Sequence, residues 1–359
     1  MKTMAFTLLT LLAALTLQAQ PTTIPDADSY AAAISQLSHR QRTFGLASNT
    51  PSPIRPAVFC FYTDIHGDAI NTHRIFNFCQ QYATHIDDIL HGGDNTRGGS
   101  NDYTWFAAIP EGRHVLNCIG NHDTDIFDAQ GQKTGKEPTK KVYDKFFAPY
   151  VSHWNVQQPK DADRLGLSYY TKAYPECNVR LIVLDCMYYD DRQDDWFSAT
   201  LKAALNKGEH VVVLQHFPIG STPIDCTFTS YTYLRENAIS NDLDPRAVAT
   251  VDRFIQSGGH FICWLGGHTH KNAVGIMPHH HNQLLILQEP ATCDSIQNAW
   301  SDTARIPGTR SQDSFSLISF DTYAHTIRLL HIGNEWDQEL RHHQALTLDY
   351  TTGIVLSNY

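Results

Sequence analysis

Long apolar runs are scarce in this sequence of 359 residues. None reaches the ~20 residues that a membrane-spanning helix needs, and the longest lies between Met4 and Leu17. That run follows Lys2, and Ala19 just after it is the small residue that signal peptidase requires. We therefore expect residues 1–19 to be a cleaved secretory signal, the mature protein to be periplasmic or secreted, and stable membrane insertion to be absent. An uncleaved anchor is the less favoured alternative.

Positive charge is also scarce. The chain has 27 Lys and Arg against 37 Asp and Glu, a formal net charge of -10. Such a chain lacks the broad positive field that non-specific nucleic-acid binding requires. We therefore expect no polymeric nucleic acid as a partner. Histidine, in contrast, is abundant, with 20 residues, and it is the side chain that most often binds transition metals.

Closely spaced cysteine pairs are missing as well. The eight cysteines form no CxxC motif and do not have the spacing of a small domain held by disulfides. Those inside apolar runs are expected to be small buried side chains: Cys60, Cys118, Cys186 and Cys263. Three others have more polar neighbours, and pairing stays open for them: Cys177, Cys226 and Cys293.

The part of the chain after the signal alternates between strand-like and helix-like segments. Short apolar runs bounded by Gly, Asn, Asp or Pro predict strands at residues 58–62, 89–91, 114–119, 179–185, 210–215, 261–265 and 284–287. Helices are predicted at residues 196–205 and at 244–259, the latter with Asp244 as N-cap. This alternation indicates an α/β sheet covered by helices. Residues 315–320 and 326–331 predict an antiparallel end to a sheet.

The predicted organisation has four parts. Residues 1–19 form the signal, and residues 20–56 form an N-terminal helix, expected within 26–42, followed by a Pro-rich linker. Residues 57–332 form the main domain, and residues 333–359 form a C-terminal extension packed on it. The oligomeric state stays open.

Five polar clusters directly follow predicted strands. They are Asp64-Ile65-His66, Gly93-Asp94, Gly120-Asn121-His122-Asp123, His216, and Gly267-His268-Thr269-His270. The carboxyl ends of strands in an α/β sheet converge on one edge, where such folds place their sites. A lone cluster is more often a helix cap or a satisfied histidine, but five at equivalent positions favour a shared site. A glycine before Asp94, Asn121 and His268 is expected to let the backbone turn sharply.

In this order, the motifs DIH, GGDN, GNHD, QH and GHTH resemble those of the calcineurin-like metallophosphoesterase family. The resemblance covers about residues 57–331 and implies a four-layer αββα sandwich of two mixed β-sheets flanked by helices. It also implies two metal ions bridged by Asp94. One ion is assigned to Asp64, His66 and His270, and the other to Asn121, His216 and His268.

The resemblance further implies the chemistry of a phosphate ester hydrolase. Such donors suit two divalent or mixed-valence transition metal ions, Mn, Fe or Zn. A metal-bridging hydroxide is expected to attack the phosphorus of a small phosphorylated substrate, mono- or diester. His122 is expected to protonate the leaving group, with Asp123 orienting its ring, while the alternative for Asp123 is a helix cap. The alternative function is a catalytically silent, metal-stabilised binding protein, although no ligand or acid position is missing.

One position departs from a neighbouring branch of the family. Purple acid phosphatases have a Tyr three residues after the bridging Asp, whereas this chain has Arg97 there and retains His66. A Tyr-ligated ferric ion is therefore not expected. Arg97 is a candidate contact for the substrate phosphate, and an exposed loop Arg is the alternative.

Two long segments after the clusters are candidates for substrate contacts. The first has five lysines, which form either a positive lip or a solvated helix face: Lys133, Lys136, Lys140, Lys141 and Lys145. The second has Phe228, Tyr231 and Tyr233, which suit either stacking on a substrate or a half-buried strand. The run His279-His280-His281 is expected to be an exposed turn.

Overall fold

A computed structural model of the chain describes residues 23–37, 54–83, 85–96, 115–218, 225–226, 243–270, 272–291, 305–334 and 345–358. Within these ranges the helices are α1 (Ala31–Leu37), α2 (Ala69–Tyr82), α3 (Asn121–Thr124), α4 (Thr139–Phe146), α5 (Ala162–Leu165), α6 (Asp191–Lys207) and α7 (Pro245–Gln256). The strands of the first half are β1 (Ala57–Tyr62), β2 (Asp88–His91), β3 (Val115–Asn117), β4 (Asp125–Phe127), β5 (Lys133–Lys136), β6 (Tyr170–Tyr174), β7 (Val179–Val183) and β8 (His210–Leu214). Those of the second half are β9 (Asp225–Cys226), β10 (His260–Gly266), β11 (Ala273–Met277), β12 (Gln283–Leu287), β13 (Ser314–Asp321), β14 (Thr326–Gly333), β15 (Ala345–Asp349) and β16 (Val355–Asn358).

Two mixed sheets of seven strands each form the centre of the described structure. The first has the order β16-β15-β14-β13-β1-β2-β3, and the second has the order β6-β7-β8-β10-β12-β11-β9. β1, β2 and β3 are parallel to one another, as are β7, β8, β10 and β12. The mixed α/β fold with helices flanking both sheets, which the sequence predicted, is confirmed.

Side chains of β8 show how the layers are held together. Val212 and Leu214 belong to the apolar core between the two sheets. Val211 and Val213 point the other way and pack with Phe197 of α6 and other residues of the outer helices. Successive strand residues face opposite sides of a sheet, so a strand buried on both faces is apolar throughout. This explains why residues 211–214 of β8 are all apolar.

Helix ends follow local capping chemistry. α7 begins as predicted, since the Asp244 carboxylate accepts a hydrogen bond from the N–H of Arg246. α6 begins at Asp191, earlier than the predicted residue 196, because Asp190 caps it by accepting from the N–H of Gln193. α2 was not predicted; its N-cap is Asp68, directly after the first motif. Polar residues such as Asn71 and Arg74 are buried in α2, which weakens the apolar periodicity that predicts a helix.

The segments before β1 and after β12 pack on the first sheet or add strands to it. α1 follows a 3-10 turn at Ala27–Tyr30, and Ser319 of β13 donates to the carbonyl of its last residue, Leu37. The rest of the expected N-terminal helix and most of the linker lie outside the described residues, as does the expected signal. β13 and β14 form the expected antiparallel pair, and β15 and β16 extend the same sheet.

The cysteines show no cross-link among the described residues. Cys177, for which pairing was open, is a buried free thiol at the end of a 3-10 turn. Cys60, Cys118, Cys186 and Cys263 are buried and free as predicted. Cys293 and the side chain of Cys226 lie outside the described residues. Among the described helices, none combines the length and the apolar character needed to cross a membrane.

Candidate metal centre

Five loops meet at one edge of the sandwich, where parallel strands of both sheets end. The loops after β1, β2 and β3 have Asp64, Asp94 and Asn121. Those after β8 and β10 in the other sheet have His216 and His268. Parallel strands direct the residues after their carboxyl ends to the same edge of a sheet. The structure therefore brings the candidate ligands of both sheets together.

The backbone of these loops is unusual. Five candidate ligands other than glycine have a positive φ: Asp64 at 50°, His66 at 47°, Asp94 at 54°, His268 at 67° and His270 at 57°. Such a conformation is uncommon outside glycine and occurs where the surrounding structure enforces it. Here hydrogen bonds connect the loop after β1 to the loop after β2. The N–H groups of Asp64 and His66 donate to the carbonyls of Gly93 and Asp94, at 3.0 and 3.1 Å.

The glycines of the motifs mainly leave space for neighbouring side chains, and only some of them allow a sharp turn of the backbone. Gly93 does have a positive φ of 93°, and a Cβ there would lie 2.7 Å from Nδ1 of His216. Gly120 has extended backbone with φ -103° and ψ 177°. A Cβ on Gly120 would lie 2.1 Å from Oδ1 of Asp94. The expectation of a sharp turn therefore holds for Gly93 and is wrong for Gly120, which provides room for the Asp94 carboxylate.

The first candidate ligand group consists of Asp64, His66 and His270, whose donor atoms all lie within 4.8 Å of one another. Nε2 of His270 lies 3.5 Å from Oδ1 of Asp64. That oxygen is buried and has no hydrogen-bond partner. A buried carboxylate oxygen without a donor is costly unless a cation binds it. These residues therefore fit a metal ion.

The second group consists of Asp94, His216 and His268, again with donor atoms within 4.8 Å. Nε2 of His216 lies 3.2 Å from Oδ1 of Asn121 and 3.3 Å from Oδ2 of Asp94. Nδ1 of His216 is 2.7 Å from the carbonyl of Gly92, to which it donates. This bond leaves Nε2 as the metal-binding atom, which is the usual arrangement for a ligand histidine.

Asp94 lies between the two groups. Its Oδ2 is 3.4 Å from Nε2 of His66 in one group and 3.3 Å from Nε2 of His216 in the other. Its Oδ1 accepts a hydrogen bond from the N–H of His122 at 2.8 Å. Asp94 is completely buried. Among the carboxylates of the described residues, it is therefore the one placed to contact cations on both sides.

Burial and the two carboxylates together set the pKa values within the site. Burial opposes ionisation of Asp64, but His270 and the nearby His216 outweigh it and lower the pKa of Asp64 to about 2. Burial likewise lowers the pKa of His216, yet Asp94 and Asp64 reverse this and raise it to about 9. Burial, reinforced by His216, lowers the pKa of His268 to about 4. Nε2 of His216 must release its proton to bind a cation.

His122 lies at the open side of the site. Its Nε2 is 3.9 Å from Oδ2 of Asp94, and its side chain is 37% exposed. Its ring centroid is 4.9 Å from that of His66. Burial of the ring lowers the pKa of His122, and Asp94 opposes this shift. The side chain therefore borders both the candidate ligands and the solvent.

The expected contact between Asp123 and the ring of His122 is absent, and this corrects the sequence interpretation. The Asp123 carboxylate accepts from the N–H groups of Gly120 and Thr96 and from the amide of Asn95, at 2.9, 3.0 and 2.8 Å. Nδ1 of His122 has no partner in the described structure. Asp123 thus caps α3 and joins the second loop to the third. Burial and the charge of Asp94 raise the pKa of Asp123 to about 7.

Four of the five lysines after the third cluster form ion pairs with nearby carboxylates. Lys133 is 2.7 Å from Asp125, and Lys141 pairs with Glu137 at 2.5 Å. Lys140 pairs with Asp144 one turn along α4. Local carboxylates therefore balance most of this charge. The solvated helix face describes Lys140, Lys141 and Lys145 of α4, whereas Lys133 and Lys136 lie in β5. Arg97, Phe228, Tyr231 and Tyr233 lie outside the described residues.

The histidine run is a turn held by side chains of α7. Nδ1 of His280 is 2.6 Å from Asp252, and Nε2 of His281 is 3.0 Å from Gln256. Three supporting residues of the site were not predicted: Thr63, Asn95 and Thr96. Asn95 stands within the GGDN motif, so its adjacency to Asp94 was the available signal. The partner of its amide, Asp123, depends on backbone turns that spacing does not predict.

The model of the calcineurin-like phosphoesterase family matches residues 57–272, which is more than half of the chain. The chain belongs to this family. The match begins with β1 and ends after the loop that carries His268 and His270. It therefore includes all seven candidate ligands.

Two further similarities are consistent with membership of this family. A sphingomyelin phosphodiesterase 2 of Caenorhabditis elegans is 29% identical over 149 residues, which is 35% of this chain and 23% of that protein. The chain thus spans about a quarter of the length of this relative. A dimetal phosphatase from Danio rerio has a similar structure, with a TM-score of 0.53 and 13% identity over 82% of this chain and 99% of that one. At this identity the likeness shows the fold.

Proposed function

We propose that this phosphoesterase hydrolyses small phosphate mono- or diesters with two transition metal ions, Mn, Fe or Zn. One observation carries the proposal: Asp94 is buried between two groups of donors, one containing Asp64, His66 and His270, the other His216 and His268. Asn121 adds an amide oxygen beside His216. Carboxylate, imidazole and amide donors without a thiolate suit these ions.

The charge balance of the site favours an anionic substrate. Asp64 and Asp94 are ionised, and the histidine ligands are neutral once they bind a cation. Bound there, two dications would leave the site net positive and would supply an activated water as nucleophile and positive charge for the phosphoryl oxygens. An acidic protein would thus have one localised positive site. That supports a phosphate ester over a neutral substrate.

The leaving group needs a proton, and His122 is placed to give it. As the P–O bond breaks, the departing oxygen takes the proton of Nε2, because Nδ1 of His122 is buried. The imidazole is then neutral and regains a proton from solvent. The negative charge of a phosphate ester beside His122 favours its protonated form, which offsets the effect of burial. Asp123 contributes by holding the loop of His122 to Asn95 and Thr96.

The name of the Caenorhabditis elegans relative makes a phosphodiester the first substrate class to examine. The test is hydrolysis of paired aryl phosphate monoester and diester substrates by the Mn²⁺-loaded full chain, with metal content measured in the same preparation. We expect turnover of at least one ester and two ions per chain. His279→Ala, at an exposed histidine of the turn, is the matched control and should behave as the unchanged protein. Two bound ions without turnover of either ester would support the catalytically silent alternative instead.

We also propose that the chain is exported. The support is the sequence itself, with Lys2 followed by the apolar run from Met4 to Leu17. Mass spectrometry of the protein secreted by a bacterial host should give an N-terminus close to residue 20. Full-length protein retained in the cytoplasm would contradict export.

A further inference from the structure

The two oxygens of Asp64 have different surroundings. Oδ2 accepts a hydrogen bond from the hydroxyl of Thr63 at 2.6 Å and another from the N–H of His268 at 3.2 Å. Oδ1 has no hydrogen-bond partner and faces Nε2 of His270 at 3.5 Å. The carboxylate is completely buried. One oxygen is thus occupied by the protein, and the other is directed toward the candidate ligands.

The hydroxyl of Thr63 has little freedom. A Cβ on Gly92 would lie 2.7 Å from its Oγ1, and a Cβ on Gly267 would lie 2.2 Å from it. The only other acceptor recorded for this hydroxyl within the described residues is the carbonyl of Gly93, at 3.5 Å. Thr63 is itself completely buried. Close packing by two glycine loops therefore keeps the hydroxyl on Oδ2 of Asp64.

The backbone of Thr63 is anchored as well. Its carbonyl accepts a hydrogen bond at 3.0 Å from the N–H of Ala291, which follows β12 of the second sheet. Ala291 in turn accepts through its carbonyl from Asn71 of α2 at 2.9 Å. Thr63 is therefore tied to both sheets and to α2. It can transmit this rigidity to the Asp64 carboxylate through a single hydrogen bond.

We propose that Thr63 is a positioning residue for the metal centre. By donating to Oδ2, it fixes the rotation of the Asp64 carboxylate so that Oδ1 alone is presented to the cation shared with His66 and His270. Groups that orient a ligand without touching the metal typically change its affinity by about 10- to 100-fold. This inference rests on the proposed metal centre and deepens it.

The test compares Thr63→Val with Thr63→Ser. Valine has nearly the shape of threonine but no hydroxyl, whereas serine keeps the hydroxyl and loses a methyl group. Calorimetric titration of the metal-free full chain with Mn²⁺ reports the affinity of both sites without using activity. We expect Thr63→Val to weaken one of the two sites by about 10- to 100-fold, and Thr63→Ser to stay within about threefold of the unchanged protein at both sites.

Measurements of turnover distinguish a positioning role of Thr63 from general misfolding of the site. Activity of Thr63→Val on the aryl ester should recover at saturating Mn²⁺, because the ligands themselves are unchanged, whereas a misfolded site would not recover. If Thr63→Val yields no folded protein, Thr63→Ala is measured in the same way, since alanine removes the hydroxyl and adds no contact.

Two results would overturn the inference by itself: both Mn²⁺ sites unchanged in the hydroxyl-free variant, or both weakened equally in the valine and serine variants. Failure of the unchanged protein to bind two Mn²⁺ ions would instead overturn the proposed function, and the role of Thr63 with it.

Discussion

The same strands have histidines at both ends, and the two ends differ in chemistry. β8 starts at His210 and leads to His216, while β10 starts at His260 and leads to His268. At the carboxyl ends, the histidines lie among buried carboxylates. At the opposite ends, the His210 and His260 rings stack on each other with centroids 4.3 Å apart. A cluster of histidines is therefore not sufficient to form a candidate metal site.

The far cluster, which we define as His210, His260, His325 and Tyr350, consists of rings that contact one another. The hydroxyl of Tyr350 is 2.7 Å from Nδ1 of His210. The His325 ring centroid lies 5.5 Å from that of His210. None of the described groups with metal-ligand spacing includes this cluster. Buried carboxylates, one of which has an oxygen without a hydrogen-bond partner, therefore distinguish the candidate metal-binding end.

The largest effect is expected from Asp94→Asn. An amide is neutral and therefore attracts cations less strongly. If its oxygen faces both donor groups, its NH2 cannot accept the hydrogen bond that the N–H of His122 now donates to Oδ1. We expect turnover to fall to background and metal content to fall below two ions per chain. Elemental analysis together with the ester assay measures both quantities. Retention of two ions and of turnover would show that Asp94 does not bridge the groups.

His122→Ala is expected to separate chemistry from metal binding. Loss of a general acid typically lowers turnover by about 10²- to 10⁴-fold. Metal content should stay the same, because His122 is not one of the seven ligands. A substrate with an acidic phenol as leaving group needs less protonation and should lose less. Equal losses on acidic and basic leaving groups would argue against His122 as the acid.

Two glycine substitutions contrast the two ends of the sheets. Gly93→Ala places a Cβ 2.7 Å from Nδ1 of His216, so we expect metal affinity to fall by about 10- to 100-fold. Gly208 at the far end also has a positive φ, 65°, but nothing lies within 4 Å of a Cβ there. Gly208→Ala should therefore cost only stability, about 1–2 kcal/mol. Calorimetry and urea unfolding distinguish these outcomes; a metal defect in Gly208→Ala would remove the contrast.

The smallest effect is expected from His210→Asn. Burial, with help from His260 and His325, lowers the pKa of His210 from 6.5 to about 3. Between pH 6.5 and about 3, His210 is therefore protonated in the unfolded chain but neutral in the folded chain. Protonation favours the unfolded chain, so the free energy of unfolding decreases as the pH falls from 6.5 toward 3. Asparagine keeps an amide near the Tyr350 hydroxyl but does not titrate.

Urea unfolding of metal-free protein between pH 7.5 and 5 tests this expectation. The variant should take up about one proton fewer on unfolding, and its turnover at neutral pH should be unchanged. Identical pH dependence in both proteins would show that His210 is not held neutral in the fold. Reduced turnover would connect the far cluster to the metal-binding end.

Much of the site could be predicted because strand ends converge by topology. Apolar runs located the strands, and the polar residues after them had to meet at one edge. Pairing between distant strands, such as β1 with β13, could not be predicted, since no local pattern encodes a partner more than two hundred residues away. The contacts of Asp123 and Thr63 were also beyond the motifs, because they depend on loop conformations with positive φ at Asp64 and Asp94.

The central claim is that cations bind at one end of these strands and not at the other. Anomalous diffraction from crystals of the Mn²⁺-loaded chain, measured near the manganese absorption edge, tests it directly. We expect two peaks about 3.5 to 4 Å apart on either side of Asp94, and no peak beside His210. A single peak away from Asp94, or a peak within the far cluster, would contradict it.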